Sequence, residues 1–170
     1  IQMAYKVLKR VHEGELPFDR TVQVSVTDRL EKEQILGRLP HNLRTIEVLL
    51  KRNRHDYRIA LSKSHTKAKR QDAWKRLARR RRRAVRLVEE LGLRTQRIET
   101  MIGVLEDFST RLDELQRLIS EHKKARLPAS ERQRWLSEYR NILVHTHETP
   151  ISLRNRVMSL KAIYSEYQQA

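Results

Sequence analysis

Cysteine is absent from this chain of 170 residues, and glycine and proline occur four times each. The lack of cysteine excludes a disulfide framework and a thiolate metal site, and it fits a reducing cytoplasm. Aromatic residues make up only 5% of the sequence, and alternating apolar and polar runs are nearly missing, so a β-sandwich or barrel is disfavoured. We therefore predict an all-α fold and a cytoplasmic protein.

Catalytic patterns are missing as well. The sequence contains no Gly-rich phosphate loop and no paired carboxylates in an apolar setting, so we predict no enzyme activity, no cofactor and no small-molecule substrate. No apolar run approaches the ~20 residues that cross a bilayer, and we predict no membrane partner. The nearest approach to a metal site is His145, His147 and Glu148. A spacing of two points helical side chains roughly 200° apart, so we predict no metal site there.

Positive charge is what the sequence has in excess. It holds 37 Lys and Arg against 21 Asp and Glu, for a net charge of +16, and residues 51–94 alone hold 17 basic and 4 acidic side chains. Such a concentration favours a polyanionic partner and makes its binding depend on salt. DNA, RNA and anionic membrane surfaces all satisfy that description, and composition does not choose among them.

The periodicity of apolar residues predicts a series of helices separated by Gly and Pro. The first ends at Gly14, and an extended connector without a pairing partner covers residues 15–27. The second opens at Thr27 and Asp28 and ends at Pro40. Three further helices are expected over residues 41–61, 70–91 and 95–125. Another follows with Ser130 as its cap, and the last begins at Pro150 with Thr149 as its cap. We predict a helical bundle organised around a long antiparallel helical hairpin of 70–91 with 95–125.

Five consecutive arginines, at residues 79–83, interrupt the hairpin's first helix. At about 100° per residue they sweep more than a full turn, so at least one must face inward. The flanking apolar positions place Arg81 there, level with Glu106, and predict a structural ion pair of Arg81 with Glu106 or Asp107. The remaining basic residues of this segment are the predicted contacts to nucleic acid or to an acidic protein: Lys75, Arg76, Arg79, Arg80, Arg82, Arg83 and Arg86.

Four segments resemble the primary (housekeeping) sigma factors of bacterial RNA polymerase. They are LPFDRT at 16–21, LEKEQILGRLPHNL at 30–43, AVRLVEELGLRTQR at 84–97 and ETPISLRNRV at 148–157. The resemblance implies that residues 1–14 are the tail of the first conserved region and 15–27 a connector. It implies that residues 28–150 form the helical non-conserved region and that 151–170 lead into the second conserved region.

In that family the non-conserved region faces upstream promoter DNA and can touch the largest subunit of RNA polymerase. The resemblance therefore implies core RNA polymerase and promoter DNA as partners, with the elements that read the promoter lying beyond Ala170. Whether the basic surface meets DNA or the polymerase stays open. The alternative is a helical RNA-binding or scaffold protein of the ribosome or nucleoid.

Overall fold

The structure, a computed structural model, describes residues 1–24, 29–125 and 128–169, and within them the fold is all-α, as predicted. The chain forms two compact units, Ile1–Ile98 (unit 1) and Glu99–Ala170 (unit 2). This division lies inside the expected 28–150 region. The helices are α1 (Gln2–His12), α2 (Phe18–Thr21), α3 (Arg29–Leu61), α4 (Lys67–Glu89), α5 (Thr95–Ala125), α6 (Ala129–Thr146) and α7 (Pro150–Gln169).

The core of unit 1 forms where α1 packs against the first half of α3. Helix α1 stops where the sequence predicts, because Gly14 adopts the left-handed φ of 78° that only glycine takes at little cost. Seven buried residues make up this core: Leu8, Val11, Val22, Ile35, Leu39, Leu43 and Leu91.

Helix α3 is one helix where the sequence predicts two. Pro40 lies inside it and does not end it. A proline removes one backbone hydrogen bond and crowds the preceding turn. Its neighbours Leu39 and Leu43 are both buried in the core of unit 1, and we attribute the continuity of the helix to that packing. The predicted cap at Thr27 and Asp28 lies outside the described residues.

A long antiparallel hairpin is present, as predicted, but it is formed by α3 and α4 and not by the predicted pair, residues 70–91 with 95–125. Helix α4 packs along α3, to which the turn at residues 62–66 connects it. Most of α5 belongs to unit 2. The turn at residues 62–66 and the turn after α4 at residues 90–94 are both short enough to form a hairpin. Loop length therefore does not select the partner of α4, and we attribute its packing on α3 to the matching side chains of those two helices.

The connector also has a partner, contrary to the prediction. Val22 forms an antiparallel bridge with Leu93. The Gln23 N–H donates to the carbonyl of Gly92 over 2.7 Å, and the Arg94 N–H donates to that of Thr21 over 3.0 Å. Gly92 has a φ of 58°, and a Cβ there would lie 3.3 Å from the Gln23 oxygen. The turn after α4 therefore holds the connector against unit 1.

Unit 2 has a core shared by α5, α6 and α7. Its buried residues are Leu112, Leu115, Ile142, Leu153 and Val157. The helix over Thr95–Ala125 agrees with the sequence prediction. No helix in the described ranges has the length and apolarity of a membrane span.

One of the two predicted caps in unit 2 is confirmed. The Thr149 hydroxyl accepts from the Ser152 N–H over 3.2 Å, and α7 begins at Pro150. The predicted cap at Ser130 is wrong, because α6 already begins at Ala129 and Pro128 occupies the cap position.

Candidate polyanion-binding surface

The hairpin of α3 and α4 has a buried seam in which polar side chains interrupt the apolar ones. On α3 the buried positions recur at alternating intervals of three and four, which is the pattern of a coiled-coil seam. Two of these positions hold Asn53 (1% exposed) and Asp56 (4% exposed). A buried carboxylate needs charged or hydrogen-bonding partners, and α4 supplies them.

Asp56 is held by two arginines of α4. Arg76 donates to it twice, from Nε over 3.1 Å and from Nη2 over 2.9 Å. Arg80 also donates to Asp56 from Nη2, and its Nε donates to the Asn53 amide oxygen over 2.9 Å. Arg76 has a second, exposed carboxylate partner in Asp72. The side chain of Arg80 is only 17% exposed.

The hydrogen bonds between Arg76 and Asp56 shift the pKa values of both side chains. The pKa of Asp56 is lowered from its ordinary 3.8, chiefly because Arg76 donates hydrogen bonds to the carboxylate, and burial opposes this shift. The same hydrogen bond raises the pKa of the Arg76 guanidinium. Asp56 is therefore ionised at neutral pH and neutralises part of the charge of α4.

The inward arginine in this network is Arg80, where the sequence predicts Arg81. Arg81 is half-buried. The register that placed Arg81 beside Glu106 assumed that α4 packs on α5, and the hairpin uses α3 instead. Glu106 accepts a hydrogen bond from Lys161 over 2.6 Å, and Asp107 is exposed.

Two of the seven predicted contact residues thus belong to the fold. Arg76 and Arg80 are committed to Asp56, so a bound anion would have to compete with that carboxylate. The predicted outward position of Arg80 is wrong, and Arg76 is only partly exposed. The other five residues of the set are all exposed: Lys75, Arg79, Arg82, Arg83 and Arg86.

Four of the five lie on one line along α4, which we call the α4 stripe: Lys75, Arg79, Arg82 and Arg86. Their intervals of four, three and four keep them on one face, roughly 150° from the seam. In the described part of the chain none of these side chains has a hydrogen bond or ion pair. Arg83 lies beside the stripe.

The α4 stripe is about 16 Å long at 1.5 Å per residue, and the helix segment that carries it, residues 75–86, contains no acidic residue. Four unpaired cations repel one another, which costs the helix stability. A polyanion laid along them would remove that repulsion and release its own counter-ions. The arrangement can therefore bind a chain of phosphates without any pocket.

The histidines of unit 2 do not gather into a metal site. The His145 ring packs edge-on against Phe108, with 5.6 Å between centroids, and His147 ends α6 in a left-handed conformation with φ 53°. Among the described residues no group of three His, Asp or Glu side chains could hold a metal ion.

Asn53 and Asp56 were missed by the sequence prediction, although a signal for them exists. Both fall on the three-and-four spacing set by Ile46, Leu49 and Ala60. A polar residue at a seam position demands a partner on the facing helix. That rule would have pointed to the arginines of the next helix along the chain.

Comparison with protein-family models, with curated proteins and with solved structures finds no match to this chain.

Proposed function

We propose that this chain is the helical insertion between the first and second conserved regions of a bacterial primary sigma factor. In this proposal it has no catalytic activity and offers a basic surface to upstream promoter DNA or to core RNA polymerase in the cytoplasm. Four resembling segments, spread from residue 16 to residue 157, support the parent family. The observation that carries the role of the insertion itself is the α4 stripe.

The unpaired cations of the α4 stripe support an external partner because the two arginines of α4 beside the seam, Arg76 and Arg80, are paired. Around the seam, Asp56 takes up Arg76 and Arg80, and Asp72 also binds Arg76. The hairpin can thus supply counter-ions where the fold needs them. The α4 stripe receives none from the described residues, so its charge is available to another molecule.

The chemistry of the stripe favours phosphates over base edges. Residues 75–83 contain no Asn, Gln or Ser, which are among the side chains that read bases by hydrogen bonding. Arginine and lysine on a solvent-facing line instead contact the backbone and give binding without sequence preference. The insertion would position DNA, and other parts of the parent would read the promoter.

Duplex binding tests the stripe. Replacing Lys75, Arg79, Arg82 and Arg86 with Gln should weaken binding of a 30-base-pair duplex and reduce the slope of log K against log salt by roughly 3 to 4 units, about 0.9 per lost contact. Fluorescence anisotropy at several salt concentrations measures both. The matched control removes four exposed arginines of unit 2: Arg117, Arg134, Arg140 and Arg154.

An equal loss in the control variant would mean that net charge, and not the stripe, sets the affinity. A slope unchanged by the stripe substitutions would remove α4 from the interface. Stronger competition by a structured RNA than by duplex DNA would favour the RNA-binding alternative.

Binding to core RNA polymerase tests the parent family directly. The chain, immobilised, should retain core polymerase from a purified preparation, and the stripe variant shows whether the same residues are responsible. Failure of both polymerase and duplex DNA to bind would sink the proposal.

A further inference from the structure

A second line of basic residues runs along α3, and we call it the α3 stripe: Arg44, Lys51, Arg54 and Arg58. All four are exposed. One acidic residue interrupts the line, Glu47, whose carboxylate lies 2.9 Å from Lys51 Nζ. The other three have no side-chain hydrogen bond or ion pair within the described residues.

The two stripes face in opposite directions. Each points away from the seam that its own helix presents to the other: Leu49, Asn53 and Asp56 on α3, and Leu77 and Ala84 on α4. Because the helices share that seam, their outer faces lie on opposite sides of the hairpin. Two packed helices with axes about 10 Å apart make an arm roughly 20 Å thick.

That thickness prevents one straight duplex from reaching both stripes. The major groove of B-DNA is about 12 Å wide, which admits one helix but not this arm. A duplex lying along the α4 stripe therefore leaves the α3 stripe in solvent on the far side. Duplex DNA carries one negative charge per ~1.7 Å of axis, so a second segment meets dense complementary charge there.

The network of Asp56 makes the arm suitable for such a role. Arg76 and Arg80 bind Asp56 across the seam, and the Asn42 amide donates to the Leu87 carbonyl over 3.1 Å. Buried polar pairs of this kind fix the register of two helices. The two stripes are thus held at a set separation on opposite sides of one element.

We propose that the α3/α4 hairpin bridges two duplex segments of nucleic acid, with phosphates of one on the α4 stripe and phosphates of the other on the α3 stripe. This inference rests on the proposed use of the α4 stripe and adds a second binding face to it. The bridged segments are two duplexes or two distant parts of one bent duplex.

A bead assay with the full chain tests the bridge. A biotinylated 30-base-pair DNA duplex is immobilised, and retention of a second, fluorescent duplex is measured with and without protein. Wild type should retain the second duplex. The variant with Arg44, Arg54 and Arg58 replaced by Gln should keep its anisotropy-measured affinity for a single duplex within about threefold and lose at least tenfold of the retained fluorescence.

A variant with Arg117, Arg134 and Arg140 of unit 2 replaced by Gln is the matched control, and it should retain the second duplex like wild type. Circular dichroism melting checks that each variant is folded. Sedimentation equilibrium gives the mass of the protein, because a dimer could bridge through two copies of the α4 stripe.

Three results would overturn the bridge. They are a wild-type protein that binds one duplex without retaining a second, an α3-stripe variant that still retains it, and a control variant that loses it equally. Each leaves the α4 stripe and the proposed function intact. Failure of wild type to bind even a single duplex would overturn both proposals.

Discussion

The two units of this protein use arginine differently. Unit 1 contains 26 basic and 11 acidic residues, whereas unit 2 contains 11 and 10. In unit 2 most of the described basic side chains on α5 and α7 have an acidic partner: Arg111, Arg117, Arg154, Arg156 and Lys161. On α4 of unit 1, Arg76 and Arg80 near the seam are engaged with Asp56 and Asp72, whereas the α4 stripe has no acidic partner among the described residues.

This difference separates charge that holds a fold from charge that is left for a partner. Arg111 donates two hydrogen bonds to Glu138, over 2.7 and 2.9 Å, and so joins α5 to α6. The α4 stripe joins nothing among the described residues. A count of arginines alone would treat Arg111 and the arginines of the α4 stripe as equal. Of these, only the stripe has N–H donors that are not already bound to a carboxylate and can bind phosphates.

Among the substitutions that test this difference between the units, loss of Asp56 should change the free energy of unfolding most. Replacing Asp56 with Ala leaves Arg80, whose side chain is 17% exposed, without its carboxylate partner, and we expect a loss of about 3 kcal/mol in the free energy of unfolding. In unit 2, Glu138→Ala should cost less than about 1 kcal/mol, because that pair is more exposed.

Each unit contains one of the two tryptophans, Trp74 in unit 1 and Trp135 in unit 2. Urea unfolding of Trp135→Phe and Trp74→Phe backgrounds therefore reports each unit by fluorescence. Asp72→Ala, which removes the exposed partner of Arg76, is the control and should change little. Equal costs for Asp56→Ala and Glu138→Ala would contradict the distinction between the units.

Acid should weaken unit 1 through the same carboxylate. Because folding lowers the pKa of Asp56 from 3.8, its contribution is fully present above that pH and is lost as the pH falls through the folded-state value. The Asp56→Asn variant should therefore be less stable than wild type near neutral pH and approach it in acid. Unfolding free energies from about pH 5 to about pH 2, reported by Trp74, measure the convergence.

Glu138 of unit 2 shifts in the same direction, since hydrogen bonds from Arg111 lower its pKa from 4.5. Salt should reduce its contribution more than that of Asp56, because the pair with Arg111 is more exposed. An acid-induced loss of stability in unit 1 that persists unchanged in Asp56→Asn would assign it to other groups.

The smallest effects should be alike in the two units. Thr66 caps α4 by accepting from the Lys69 N–H over 3.3 Å, and Thr149 caps α7 in the same way from Ser152. Either Thr→Ala substitution should cost about 1 kcal/mol. Ser130→Ala should cost less than ~0.5 kcal/mol, since α6 has no side-chain cap. Thermal unfolding of the three variants checks this order, and a larger cost at Ser130 would restore it as a cap.

Local features of the fold were predictable because their causes are local. Helical periodicity, the left-handed turn at Gly14 and the Thr149 and Pro150 start of α7 each depend on a few neighbouring residues. Pro40 shows where that reasoning stops. Its local preference predicts a helix end, yet α3 continues through it, with the flanking Leu39 and Leu43 buried in the core of unit 1.

The candidate site was predictable in composition but not in geometry. The sequence located the basic segment and the need for an inward arginine. Arg80 and Arg81 both lie between the buried positions Leu77 and Ala84, and the two arginines point about 100° apart on the helix, one to each side of that apolar line. The period of the apolar residues therefore could not decide which arginine faces inward. Asn53 and Asp56 decided it by hydrogen-bonding to Arg80, and they lie more than twenty residues away in the chain.

The sequence by itself determined the all-α class, most helix ends and the position of the basic run, because these follow from backbone preferences and the 3.6-residue period. Only the tertiary structure decided that α4 packs on α3, that the connector pairs with the turn after α4, and that Arg76 and Arg80 serve the fold. A period shows which face of a helix is buried, but not which helix buries it. That choice depends on side-chain complementarity between segments distant in sequence.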